Sequence, residues 1–137
     1  MTWEAALRRR LLADGALSAL VADRVFWRLR QQGSALPAVV LTLISDPRPQ
    51  TLKGFQGNRG SLVQFDCWAD GGKDGEENTR AEVAALREAV IAALAGPFAQ
   101  DGVQFSRSMF DPVRDLGEAT DTGFVHRDSF DATIWHN

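Results

Sequence analysis

The 137 residues contain one cysteine, Cys67, and two histidines, His126 and His136, while lysine occurs only at Lys53 and Lys73. One thiol cannot form an internal disulfide, so nothing in the chain calls for an oxidising compartment. The two histidines lie ten positions apart in one alternating segment and cannot reach a common ion without a bend. No compact Cys/His cluster exists to hold a metal, and "DPVRDLGEATD" lacks the D-x-D-x-D-G pattern of a calcium loop. No apolar run approaches the ~18 residues of a membrane span. "GFQGNRG" lacks the lysine–hydroxyl end of a phosphate loop. The net charge of -3 argues against broad affinity for nucleic acid. No repeat, low-complexity tract or linker divides the chain, so residues 1–137 read as one domain without catalytic, cofactor or metal residues.

"RRRLLADGALSALVA" superficially resembles an export leader, but Asp14 and Gly15 interrupt its apolar run and Glu4 precedes the arginines. Trp3, Ala6, Leu7 and Leu11 recur at helical spacing, which predicts an amphipathic helix capped by Thr2 and ended at Asp14–Gly15. The triple arginine Arg8–Arg10 then reads as a solvated helix edge, and the protein as cytoplasmic when made. A short turn at Leu17–Val21 and a brief strand in "RVFWRL" follow, then a loop over "QQGSALP".

"AVVLTLIS" (Ala38–Ser45) is a nearly continuous apolar run of strand length, typical of a strand covered on both faces. "SLVQFDCWA" alternates, with Val63, Phe65 and Cys67 facing one way and Gln64, Asp66 and Trp68 the other. Val83, Leu86, Val90 and Leu94 form a helical stripe that Gly96–Pro97 ends; Asp74 and Glu77 have capping-box spacing at its start. "GVQFSRSMF" alternates again, with Val103, Phe105 and Met109 on one side. In the last strand Phe130, Ala132 and Ile134 oppose Ser129, Asp131, Thr133 and Trp135. This order predicts an α+β fold: a mostly antiparallel sheet of four to five strands with two main helices packed on one face.

A Cys67–His126 nucleophilic pair would make the protein a small cytoplasmic enzyme. Against it, Cys67 shares its face with Val63 and Phe65, where a thiol behaves as a small hydrophobe, and Asp66 opposes thiolate formation. The outward face is more informative. Two strands carry Asp and Trp away from their apolar residues: Asp66 with Trp68, and Asp131 with Trp135. Such residues either lie under a shielding loop or anchor a protein–protein interface. Two long connections differ in charge: Asp46–Gly60 carries Arg48, Lys53 and Arg59, whereas Asp111–Gly123 carries Asp111, Asp115, Glu118 and Asp121. Opposite charge on one chain suits a head-to-tail contact between copies.

"LPAVVLTLIS", "VQFDCWAD" and "DTGFVHRDSFDATIWHN", following an N-terminal "LLADGALSALVADRVF", resemble the tail-terminator (tail-completion) proteins of long-tailed bacteriophages, prophages and gene transfer agents. The resemblance spans essentially the whole chain and rests on packing motifs; "GGKDGEEN" is longer than the usual link into the following helix. It implies an α+β subunit of a homohexameric ring that caps the tail tube protein's polymer and presents a docking surface for the head connector or stopper. Another head–tail adaptor is the neighbouring reading. A net acidic ring would let DNA pass without sticking.

Overall fold

The computed structural model describes residues 2–30, 35–55, 57–73 and 77–137. Helices α1 (Trp3–Ala13) and α2 (Gly15–Val21) lead into strands β1 (Val25–Trp27), β2 (Ala38–Ser45), β3 (Gln50–Thr51), β4 (Gly54–Phe55) and β5 (Arg59–Asp70). Helix α3 (Glu77–Leu94) follows, then β6 (Phe98–Gln100), β7 (Val103–Phe105), β8 (Met109–Phe110), β9 (Arg114–Asp115), β10 (Glu118–Thr120) and β11 (Gly123–His136).

The predicted cap forms: the Thr2 hydroxyl accepts the Ala5 N–H at 3.1 Å. Asp14 ends α1 and caps α2, its carboxylate accepting the Leu17 N–H at 2.9 Å. The Asp74–Glu77 capping box falls partly outside the described residues, as does most of the "QQGSALP" loop.

β11 is the spine of the sheet. One edge pairs antiparallel with β5 from Val125↔Asp70 to His136↔Arg59, and β5 in turn pairs with β2. The other edge meets β10, β9, β8 and β7 in succession. The helices pack on the face that carries Phe65, Cys67 and Phe130. There the two phenyl rings stack at 5.2 Å, and Leu7, Leu11, Val83, Leu86, Val90 and Leu94 are fully buried. Removing a side chain as large as Phe65 or Phe130 from such a core typically costs ~3–5 kcal/mol.

Several expectations need correction. Among the described residues the sheet has nine strands rather than four or five, because short segments join both edges, and β1 runs parallel to β2. Three helices are present among the described residues, the Leu17–Val21 turn being extended by one residue pair into α2. The acidic stretch after Asp111 is not a free loop. The Asp111 and Leu116 N–H groups donate to the carbonyls of Asp131 and Arg127, which ties it along β11. Pro112 and the turn at Gly117 break its alternation, so the pairing is carried by backbone that no side-chain period announces. Met109 does not share the apolar side of Val103 and Phe105. The chain bends between β7 and β8, and Met109 pairs with Thr133 on the outward face, 64% exposed. The arginines of α1 are not merely solvated either: Arg8 donates to the Val25 carbonyl at 2.7 Å and Arg10 to that of Ala93 at 3.1 Å. No helix among the described residues is long and apolar enough to cross a membrane.

Candidate functional site

Cys67 is fully buried on the helix-covered face. Burial, then the negative charges of Asp128 and Asp66, push its thiol well above the ordinary range, so no thiolate forms near neutrality. His126 lies on the same face, with its Nε2 2.9 Å from the Thr79 hydroxyl. The pair is therefore a packed thiol and a hydrogen-bonded imidazole. Among the described residues, no cluster of three or more His, Cys, Asp or Glu side chains stands ready for a metal.

The outward face of the sheet carries the charged and aromatic residues singled out from the sequence. Asp66 is only 4% exposed, since its two carboxylate oxygens are claimed from both sides. The Arg127 Nε donates to Oδ1 and the Gln64 amide to Oδ2, each at 2.9 Å. The Arg127 guanidinium also lies over the Trp68 ring, 5.1 Å from its centroid, and Arg30 approaches the same ring at 6.0 Å. Arg28, Val40, Gln64, Asp66, Trp68 and Arg127 line an open cavity of about 400 Å³ here.

The second Asp–Trp pair does not join the first. Trp68 lies opposite Arg127 and Trp135 opposite Gly60, eight positions away along β5 and so roughly 26 Å at strand rise. Trp135 lies flat across the sheet: a β-carbon at Gly60 would fall 2.9 Å from its indole, so only glycine leaves room for the ring. Asp131 receives Arg114 at 3.3 Å between the two tryptophans.

The basic connection folds back as a small hairpin, β3–β4, beyond the ends of β2 and β5. Arg48 and Arg59 both bond Asp46 at 2.9 Å, so they brace the base of the hairpin rather than project from it. Burial alone would raise the Asp46 pKa; the Ser61 hydroxyl and the two guanidiniums outweigh it and hold the carboxyl below its ordinary value. Lys53 sits in the hairpin turn, and among the described residues it makes no ion pair. Asp115 and Glu118 line the far edge of the sheet, both exposed.

Reading the sequence missed Arg127 and Arg114, although both sit on strands beside the residues it named. Arg127 shares parity with Asp131 and Trp135, a signal that was present in the alternation. It also missed Asp128, which lies in line with Phe130 on the apolar face, where a charge demands a partner. Arg80 and Arg87, two turns apart on α3, supply it.

Taken together, fold and surface describe an α+β protein with one helical layer and an open, charge-patterned sheet face. Residues 5–134 match the family model described as Tail completion protein gp17. The chain belongs to that family, and it is a structural protein of phage-type tails. A solved chain in the "Virion of native gene transfer agent (GTA) particle" shares the fold, with a TM-score of 0.62 and 18% identity over 98% of this chain and 94% of that one. The search of curated proteins returned no match.

Proposed function

We propose that this tail-completion protein caps the tail tube as a ring of about six copies, ends tail polymerisation and offers the surface on which the head connector or stopper docks. The observation that carries this reading is an uncovered sheet face flanked by two segments of opposite charge. The hairpin between β2 and β5 presents Lys53, while the β8–β10 edge presents Asp111, Asp115 and Glu118. Complementary charge on different parts of one chain favours heterologous contacts, which close into a ring when the rotation permits. The gene transfer agent chain that shares the fold comes from an assembled virion, which supports a place in a phage-like particle; the proposed role puts the ring at the head–tail junction. A net charge of -3 suits a ring that DNA traverses without binding.

Electron microscopy of particles assembled without the protein tests the reading. Overlong or headless tails are expected, and complementation with the wild-type chain restores normal length and head joining. Normal particles in its absence overturn the proposal.

A further inference from the structure

Leu52, at the tip of the β3–β4 hairpin, is 109% exposed, so it touches nothing on its own chain. A fully exposed leucine on a projecting turn is a knob without a hole.

An apolar patch lies on the outward sheet face. Leu43 pairs with Val63 and Ser45 with Leu62, leaving Ile44 as the extra residue of a bulge. The bulge turns Ile44 toward solvent, and it is 49% exposed. Across the sheet at this level, Leu62 opposes Thr133, and Thr133 opposes Met109. Trp135 lies two residues further along β11, spread over Gly60. Ile44, Leu62, Met109 and Trp135 thus form an apolar strip four strands wide, roughly 15 Å at the spacing of neighbouring strands. The strip is bounded by acid: Asp111 follows Met109 by two residues, and its exposed carboxylate makes no ion pair among the described residues.

We propose that the Gln50–Phe55 hairpin of one copy seats Leu52 on the Ile44–Leu62–Met109–Trp135 strip of the next copy, with Lys53 against Asp111. The occupant is a second copy because knob, apolar strip and opposite charges are all present on the same chain, while Leu52 is fully exposed and so does not meet the strip of its own copy. A contact between two different patches is head-to-tail and propagates from copy to copy. The proposal rests on the ring reading and assigns its subunit contact.

Two measurements test it. Light scattering on the Leu52→Asp protein reads self-association, and an equimolar mixture of Leu52→Cys and Met109→Cys proteins under mild oxidation reads proximity. Leu52 supports no packing, so the Asp variant is expected to melt with wild type. The native thiol, Cys67, is fully buried and stays out of the cross-linking. The expected results are self-association at least about tenfold weaker for Leu52→Asp, as for loss of an apolar interface anchor, and a disulfide-linked heterodimer in the mixture alone. An oligomer that survives Leu52→Asp with no cross-link overturns the contact and leaves the ring reading standing. Cross-linking of Leu52→Cys to a tube subunit instead of a second copy also overturns it. A wild-type protein that stays monomeric both free and on tail tubes overturns contact and ring together.

Discussion

Asp128, fully buried on β11, accepts a hydrogen bond from Arg87 of α3 at 2.6 Å, and Arg80 reaches its other carboxylate oxygen. This is the charged link between the long helix and the spine of the sheet, beside the Thr79–His126 hydrogen bond. The hydrogen bond to Asp128, with its charge, supports Arg87 in turn and raises its pKa above the ordinary value against the opposing effect of burial. Asp128→Ala is expected to cost about 3 kcal/mol, or roughly 10 °C in Tm, the lower end for breaking a buried pair because both guanidiniums can turn to water. Thermal denaturation of Asp128→Ala, Arg87→Ala and the double variant checks this. Additive losses would show that the pair is not coupled.

Cys67 gives a second prediction. Cys67→Ala removes one small buried group and should cost about 1 kcal/mol, with assembly intact. An alkylating reagent should leave the native thiol untouched and modify it only after denaturation. Loss of particle assembly at unchanged Tm would contradict the packing role.

His136 makes stability depend on pH. It is fully buried, its ring stacks on Trp3 at 4.2 Å, and its Nε2 lies 2.8 Å from the Ser61 hydroxyl. Burial, aided by Arg59 and Arg48, lowers its pKa from 6.5 against the opposing pull of the Asn137 carbonyl and Asp46. Between the lowered native value and 6.5 the unfolded chain therefore binds more protons than the native one. The contribution is complete above 6.5 and is lost as pH falls through the native pKa. In urea titrations, stability should decline as pH falls from 6.5 to the native value, by at most about 1.4 kcal/mol per pH unit, and His136→Gln should flatten the decline. A wild-type profile that stays level there, or one that His136→Gln leaves unchanged, would contradict this.

Much of this was legible in the sequence where a period repeats. Val63, Phe65 and Cys67 announce a strand face, and Val83, Leu86, Val90 and Leu94 announce a helix stripe; the structure buries all seven. The sheet edges were not legible, since β8 and β9 are two residues each and their pairing is made by backbone bonds to a distant strand. The same holds for the outward face. Arg127 and Asp66 are 61 residues apart and meet only because β5 and β11 adopt one register. Alternation located Asp66 and Trp68 on that face, but it could not state that Trp135 lies at the other end of it.

That separation frames the last prediction. Arg127→Ala leaves the nearly buried Asp66 carboxylate with Gln64 alone and should lower stability by about 2 kcal/mol. Trp68→Ala removes the indole beneath Arg127 but leaves the Asp66–Arg127 bond in place, so it should cost less in folding than Arg127→Ala. If Trp68 anchors a partner, its loss should weaken docking of the proposed ring to tube or connector by about 2 kcal/mol, some thirtyfold, while Tm changes by only a few degrees. Paired measurements of Tm and head joining on both variants decide the matter. A large drop in Tm with full head joining for Trp68→Ala would make the indole a packing residue of the sheet, not a contact.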